Sequence, residues 1–203
     1  MKITLKLVCC LLLSGCDLSY YWQATRGHLD LLQRKHEIQI LLIDNTTDPE
    51  LRKKFQLLSD VRQFASTELN LPSGNGYKSY VKLTNSYVSV LVSAVPPFSL
   101  NPKQWCYLII GCQSYRGYFE IADAQQLANE LRESGFDVSL SYASAYSTLG
   151  YLNQSWLPDY FSDPVLSTFL ERSDRVLIAT LIHEMAHQVV YIAGDTSFNE
   201  SYA

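Results

Sequence analysis

The run His183-Glu184-Met185-Ala186-His187, set in an otherwise apolar stretch, constrains this chain more than any other feature. On an α-helix, residues i and i+4 share a face with their Cβ atoms about 5–6 Å apart. Two imidazoles at that spacing can converge on one Zn²⁺ at about 2.0–2.1 Å. Glu184, next to the first histidine, projects to the side of the metal, where it can hold a zinc-bound water and take its proton. The flanks predict a helix, with Ser173 or Asp174 as N-cap and Gly194 where a left-handed residue would end it. From Val176 to Ile192 that helix is apolar nearly all round, which predicts a buried one. Burying two histidines and a glutamate is costly unless they are paired or bound to metal. The plainer alternative is a pair of hydrogen-bonded core histidines with a buried acid; the spaced triplet favours the metal.

Catalytic zinc takes three protein ligands and a water. No histidine lies downstream, so the third donor is expected from Glu200, thirteen residues after His187. A turn from Gly194 to Ser197 and a second helix starting near Ser197 would return it to the metal. Ser197-Phe198-Asn199-Glu200 also reads as a capping box, in which Glu200 would bond back to the cap amide instead.

Further segments carry a family likeness: Tyr20-Tyr21-Trp22-Gln23-Ala24 with Gly27-His28-Leu29, Trp105-Cys106 with Gly111-Cys112, and Ser114 to Phe119. Ala145 to Gly150, Asp163 to Thr168, the HEMAH run and Gly194 to Ser201 complete the set. Together they resemble the predicted zinc aminopeptidases found as lipoproteins in Gram-negative bacteria. The resemblance implies a zinc-dependent aminopeptidase with His183, His187 and Glu200 as ligands of one Zn²⁺, Glu184 as general base, and a peptide substrate. It implies a zincin-like α+β fold: a buried HExxH helix, N-terminal helices and a small mixed sheet. The connection from Tyr151 to Ser162 is longer than the family's, so an inserted loop is expected there. Family members also continue beyond the Asn-Glu helix, so residues 16–203 read as a single metallopeptidase-like domain incomplete at its C-terminus. Two other readings compete. One is a zinc endopeptidase, since no G-x-M-E-N-type stretch for a free amine is found; the other is a membrane-anchored binding or scaffolding lipoprotein with a vestigial or structural metal site.

Residues 1–15 read as a signal peptide, with Lys2 and Lys6 ahead of an apolar segment too short to span a membrane. Leu13-Ser14-Gly15-Cys16 resembles a lipobox, which makes Cys16 an acylated N-terminus tethering the domain to a membrane. Asp17 resembles an inner-membrane retention signal, so the domain is expected on the periplasmic side. Loss of residues 1–15 removes Lys2 and Lys6 and no acid, taking the formal charge from −4 to −6. An acidic surface of this kind excludes nucleic acid as the natural partner. With Cys9 and Cys10 in the signal and Cys16 lipidated, Cys106 and Cys112 remain and are expected to pair in an oxidising compartment. So short a loop should contribute less than the typical 2–4 kcal/mol.

Helices are expected at Leu18 to His36, at Pro49 to about Leu69 behind an Asp48 cap, and at Ile121 to Ser134 before Gly135. Strands are expected at Tyr77 to Leu83, Tyr87 to Val95, Tyr107 to Ile110 and Asp137 to Tyr142. Pro164 is expected to start a helix running to Arg172. Either Ser114 to Phe119 or Ala145 to Gly150 could bind substrate as an added strand. Arg116 could meet a substrate carboxylate, and Tyr115 or Tyr146 could donate to the oxyanion, unless these tyrosines only pack and cap.

Overall fold

The computed structural model describes residues 15–72, 74–107, 111–148, 152, 157–192 and 194–203. The expected signal segment up to residue 14, residues 108–110 of the strand expected between the cysteines, and residues 149–151 and 153–156 around the expected insertion lie outside them. In chain order the elements are α1 (Gly15–Gln33), β1 (His36–Glu37), α2 (Ile38–Ile43), α3 (Pro49–Thr67), β2 (Ser79–Val81), β3 (Ser89–Val95) and β4 (Trp105–Tyr107). They continue with β5 (Gly111–Gln113), β6 (Arg116–Tyr118), α4 (Ile121–Glu133), β7 (Asp137–Ala143), a 3₁₀ turn (Asp159–Phe161), β8 (Val165–Leu166), α5 (Ser167–Leu170), α6 (Asp174–Ala186) and α7 (Thr196–Tyr202). The class is α+β. The strands form three small sheets rather than one: mixed β1-β2-β8, antiparallel β6-β3-β7, and the hairpin β4-β5.

The HExxH helix rests on the first of two main cores. α3 starts where Asp48 accepts hydrogen bonds from the amides of Glu50 and Leu51, with Pro49 in the first turn. Phe55, Leu58, Val61 and Ala65 recur at helical spacing and are buried. They meet Leu177, Leu181 and Met185, the buried stripe of α6, together with Tyr80, Val165 and Phe169. That stripe is narrower than the sequence suggested, because Val176 is exposed and so are Val189 and Ile192 beyond the helix. α6 is one-sided, and its other face is available to the site.

α6 also stops at Ala186, not near Gly194. The amides of Gln188 and Val189 bond the carbonyls of Met185 and Ala186, tightening the last turn to an i→i−3 pattern. A β-branched run (Val189, Val190, Ile192) follows, which resists helix propagation. Gly194 does take a left-handed φ of 84°, but in the turn ahead of α7. Asp163-Pro164 is likewise not a helix start: Val165 and Leu166 pair in parallel with Tyr80 and Val81 before α5 begins.

In the second core, Val90, Val92 and Ala94 of β3 pack under Ala124, Ala128 and Leu131 of α4. β3 pairs along its length with β7 and over three residues with β6. Across the hairpin β4-β5, Cys106 and Cys112 are register partners joined by a disulfide. α1 lies over β6, and Gly27 gives room for the Phe119 ring, which a Cβ there would strike. The Gln23 amide donates to the Gly117 carbonyl and accepts from the Phe119 amide, both at 3.2 Å. It thereby takes up two edge groups of β6, at Gly117 and Phe119, which an added strand would otherwise use.

Candidate metal centre

α6 and α7 bring three donors together. His183 Nε2 and His187 Nε2 lie 3.1 Å apart. Glu200 places its two carboxylate oxygens 3.3 Å from His183 Nε2 and 3.7 Å from His187 Nε2. One ligand atom from each of the three residues lies within 4.8 Å of the others, a convergence that a shared metal ion could use. Among the described residues this is the one group of three His, Cys, Asp or Glu side chains so placed. Direct imidazole–imidazole contact is a poor substitute, since only one nitrogen of that pair can donate to the other. His187 is 3% exposed, and its Nδ1 has no protein partner among the described residues. Burial, then the charge of His183, pulls the His187 pKa below its ordinary value, while Glu200 works the other way. A neutral imidazole is the form a metal needs.

The capping alternative for Glu200 is decided by α7 itself. Its cap is Asp195, whose carboxylate accepts from the Phe198 amide, and Ser197 lies inside the helix. Glu200 is therefore released toward the histidines. The device that aims it was missed in the sequence: Asn199, 2% exposed, donates to the Ile192 carbonyl and accepts from the Ile192 amide, both at 2.8 Å. This amide-to-backbone pair fastens α7 to the chain leaving α6. Its signal lay in an asparagine directly before the candidate ligand.

Glu184 sits beside the donors in a different setting. Burial raises its pKa above the ordinary carboxylate value, against the charge of His183 and a hydrogen bond from Ser147. Nearby, the Tyr77 hydroxyl donates to Ser147 Oγ at 3.5 Å. Burial lifts the Tyr77 phenol well above its usual value, with the charges of Glu184 and Asp163 adding to it. Asp163 is 0% exposed, and its Oδ2 accepts from both the amide and the hydroxyl of Thr148 at 2.9 Å. Tyr77, Ser147 and Asp163 belong to the surroundings of the site and were not singled out by sequence reasoning. They carry no motif spacing, because three separate segments deliver them.

The weaker substrate candidates separate. Tyr115 is at the site: after burial, the charges of Glu200 and Glu184 are among the causes that raise its phenol pKa. Arg116 is not, because it is buried with its guanidinium 3.9 Å from the Tyr20 ring. Tyr146 lines a small cavity with Tyr77 and Glu184, yet its hydroxyl is bonded to His28 Nδ1 at 3.2 Å.

Three convergent donors with a partly buried carboxylate beside them define a candidate metal centre. Residues 19–203 match the family model Aminopep, described as putative aminopeptidase, and the chain belongs to that family. Membership supports a peptidase-like function. No curated protein and no solved structure matches the chain.

Proposed function

We propose that this chain is a zinc-dependent peptidase, acting as an aminopeptidase, in which His183, His187 and Glu200 hold the metal and Glu184 is the general base. The observation that carries this reading is the convergence of the three side chains, one ligand atom from each lying within 4.8 Å of the others. Zinc held there supplies Lewis-acid polarisation of a scissile carbonyl and lowers the pKa of a bound water toward about 7. Glu184 then takes the proton from the attacking water and delivers it to the leaving amine. Burial shifts its pKa upward, the direction that helps a carboxylate take a proton before returning it. Tyr115, whose phenol feels the charges of Glu200 and Glu184, would be the donor to the developing oxyanion. The exopeptidase mode rests on family membership. A HExxH helix on a small α+β core, followed by a helix that returns an acid, supports a zincin-like assignment.

We also propose that Cys16 carries a lipid anchor holding the domain at the periplasmic face of the inner membrane; Leu13-Ser14-Gly15-Cys16 and Asp17 support this. No described helix is long and apolar enough to cross a membrane. Metabolic labelling with a fatty acid, lost in Cys16→Ala, tests the anchor. For the enzyme, Glu184→Gln should retain zinc and lose peptide hydrolysis. A zinc-loaded chain that cleaves nothing in a broad peptide library contradicts the proposal.

A further inference from the structure

Residues 144–148 have no regular secondary structure, yet four of the five are tied down by side chains. The Ser144 carbonyl accepts from Thr168 Oγ1 at 2.6 Å, and its hydroxyl is bonded by the Arg172 guanidinium. Tyr146 is held by His28, and Thr148 by the buried Asp163 carboxylate. Ser147 is the fourth, and its partners are Tyr77 and Glu184.

Tyr77 has a φ of 62°, in the left-handed region. A bulky aromatic there is a backbone outlier, costing on the order of 1–3 kcal/mol, and persists only where surrounding contacts over-determine it. Those contacts are present: its amide donates to the Asp163 carbonyl at 2.8 Å, and its ring is buried in the core beneath α6. In this conformation the phenol reaches Ser147 Oγ at 3.5 Å, in the small cavity that Tyr77 shares with Glu184. Ser147 has one proton and accepts the phenol's hydrogen bond, so its own proton is directed at the Glu184 carboxylate. A hydroxyl that accepts a hydrogen bond also donates a stronger one.

We propose that Ser147, oriented by Tyr77, is the positioning residue that fixes the Glu184 carboxylate in one rotamer facing the three-donor centre. The inference deepens the peptidase reading above and rests on it for its catalytic consequence, although the orienting contact itself does not require turnover. The strap 144–148 is tied at four positions, and a base held from it would not spend time in rotamers out of reach of the water it must deprotonate. Outer-shell partners of metal sites typically change activity or affinity by about 10–100-fold.

The test is a set of crystal structures and kinetics on the zinc-loaded full chain as wild type, Ser147→Ala, Ser147→Thr and Tyr77→Phe. Ser147→Ala should leave zinc content and melting temperature unchanged and disperse the Glu184 carboxylate over more than one rotamer. It should lower kcat by roughly 10–100-fold with KM unchanged. Ser147→Thr should restore both, and Tyr77→Phe should reproduce the defect in milder form with the ring retained. A single wild-type rotamer of Glu184 in Ser147→Ala, or an undiminished kcat, overturns the proposal. Should the zinc-loaded wild type cleave no peptide, the peptidase reading falls, while the rotamer comparison still decides the role of Ser147.

Discussion

Two walls of one site are built on opposite terms. On one side stand α6, the strap 144–148 and Asp163, where the carboxylate that orders the strap is wholly buried and nearly every strap residue is tied. On the other is α7, seven residues long, with Ser197, Phe198, Glu200, Ser201 and Tyr202 exposed. It is fastened mainly by Asn199 and by its Asp195 cap. The proposed base lies on the tied wall and the proposed third ligand on the lightly fastened one, with the Glu200 side chain 58% exposed. Proton transfer depends on fixed orientation, so rigidity belongs with Glu184. A ligand on a lightly anchored helix can instead be drawn into place by the ion, so that binding free energy orders the segment.

That contrast can be sharpened or broken by measurement. Glu184→Gln should lower kcat by about 10²–10⁴-fold with zinc stoichiometry unchanged; loss of zinc in this variant would place Glu184 among the ligands. Asp163→Ala strips Thr148 of two charge-assisted hydrogen bonds in a buried setting. A stability loss of about 3 kcal/mol by denaturant unfolding is expected, with or without metal. Asn199→Ala should differ in kind, lowering zinc affinity by roughly tenfold as the third ligand loosens while changing global unfolding of the metal-free protein little. Equal effects of these two substitutions on metal-free stability would remove the distinction between the walls.

The smallest effect concerns His28 beneath the strap. Burial first, and the charge of Lys35 second, pull its pKa below 6.5 in the folded protein. Between pH 6.5 and that lower value the unfolded chain binds the proton and the folded one does not, so stability falls as pH falls across the window. Below the folded value the loss levels off. His28→Gln should flatten this slope in a plot of melting temperature against pH, and an unchanged slope would show that His28 does not cause it.

Much of this was legible because local chemistry and tertiary packing agreed. α3 announced itself by Asp48-Pro49 and a stripe from Phe55 to Ala65, and α4 by its close at Gly135, whose φ is 85°. The convergence of His183 and His187 follows from helical spacing alone. Where the reading failed, a local preference met a stronger partner. The apolar stretch after His187 looked helical by composition, but its β-branched run leaves the helix and lends the Ile192 backbone to Asn199. Pro164 could have opened a helix, yet the next two residues are taken by β2. Nor could the sequence show that Gln23, ninety-four residues from Gly117, takes up part of the β6 edge. Tyr77, Ser147 and Asp163 could not be read at all, since their proximity to Glu184 exists only once the strap is folded.

The most direct measurement is zinc binding by the purified full chain, by elemental analysis and competition with a chelator, for wild type and Glu200→Ala. One zinc per chain is predicted for wild type, with affinity in Glu200→Ala at least about 100-fold weaker, beyond what an outer-shell partner typically costs. A wild-type chain that stays folded and metal-free, or a Glu200→Ala chain that holds zinc as tightly as wild type, would contradict the three-donor centre.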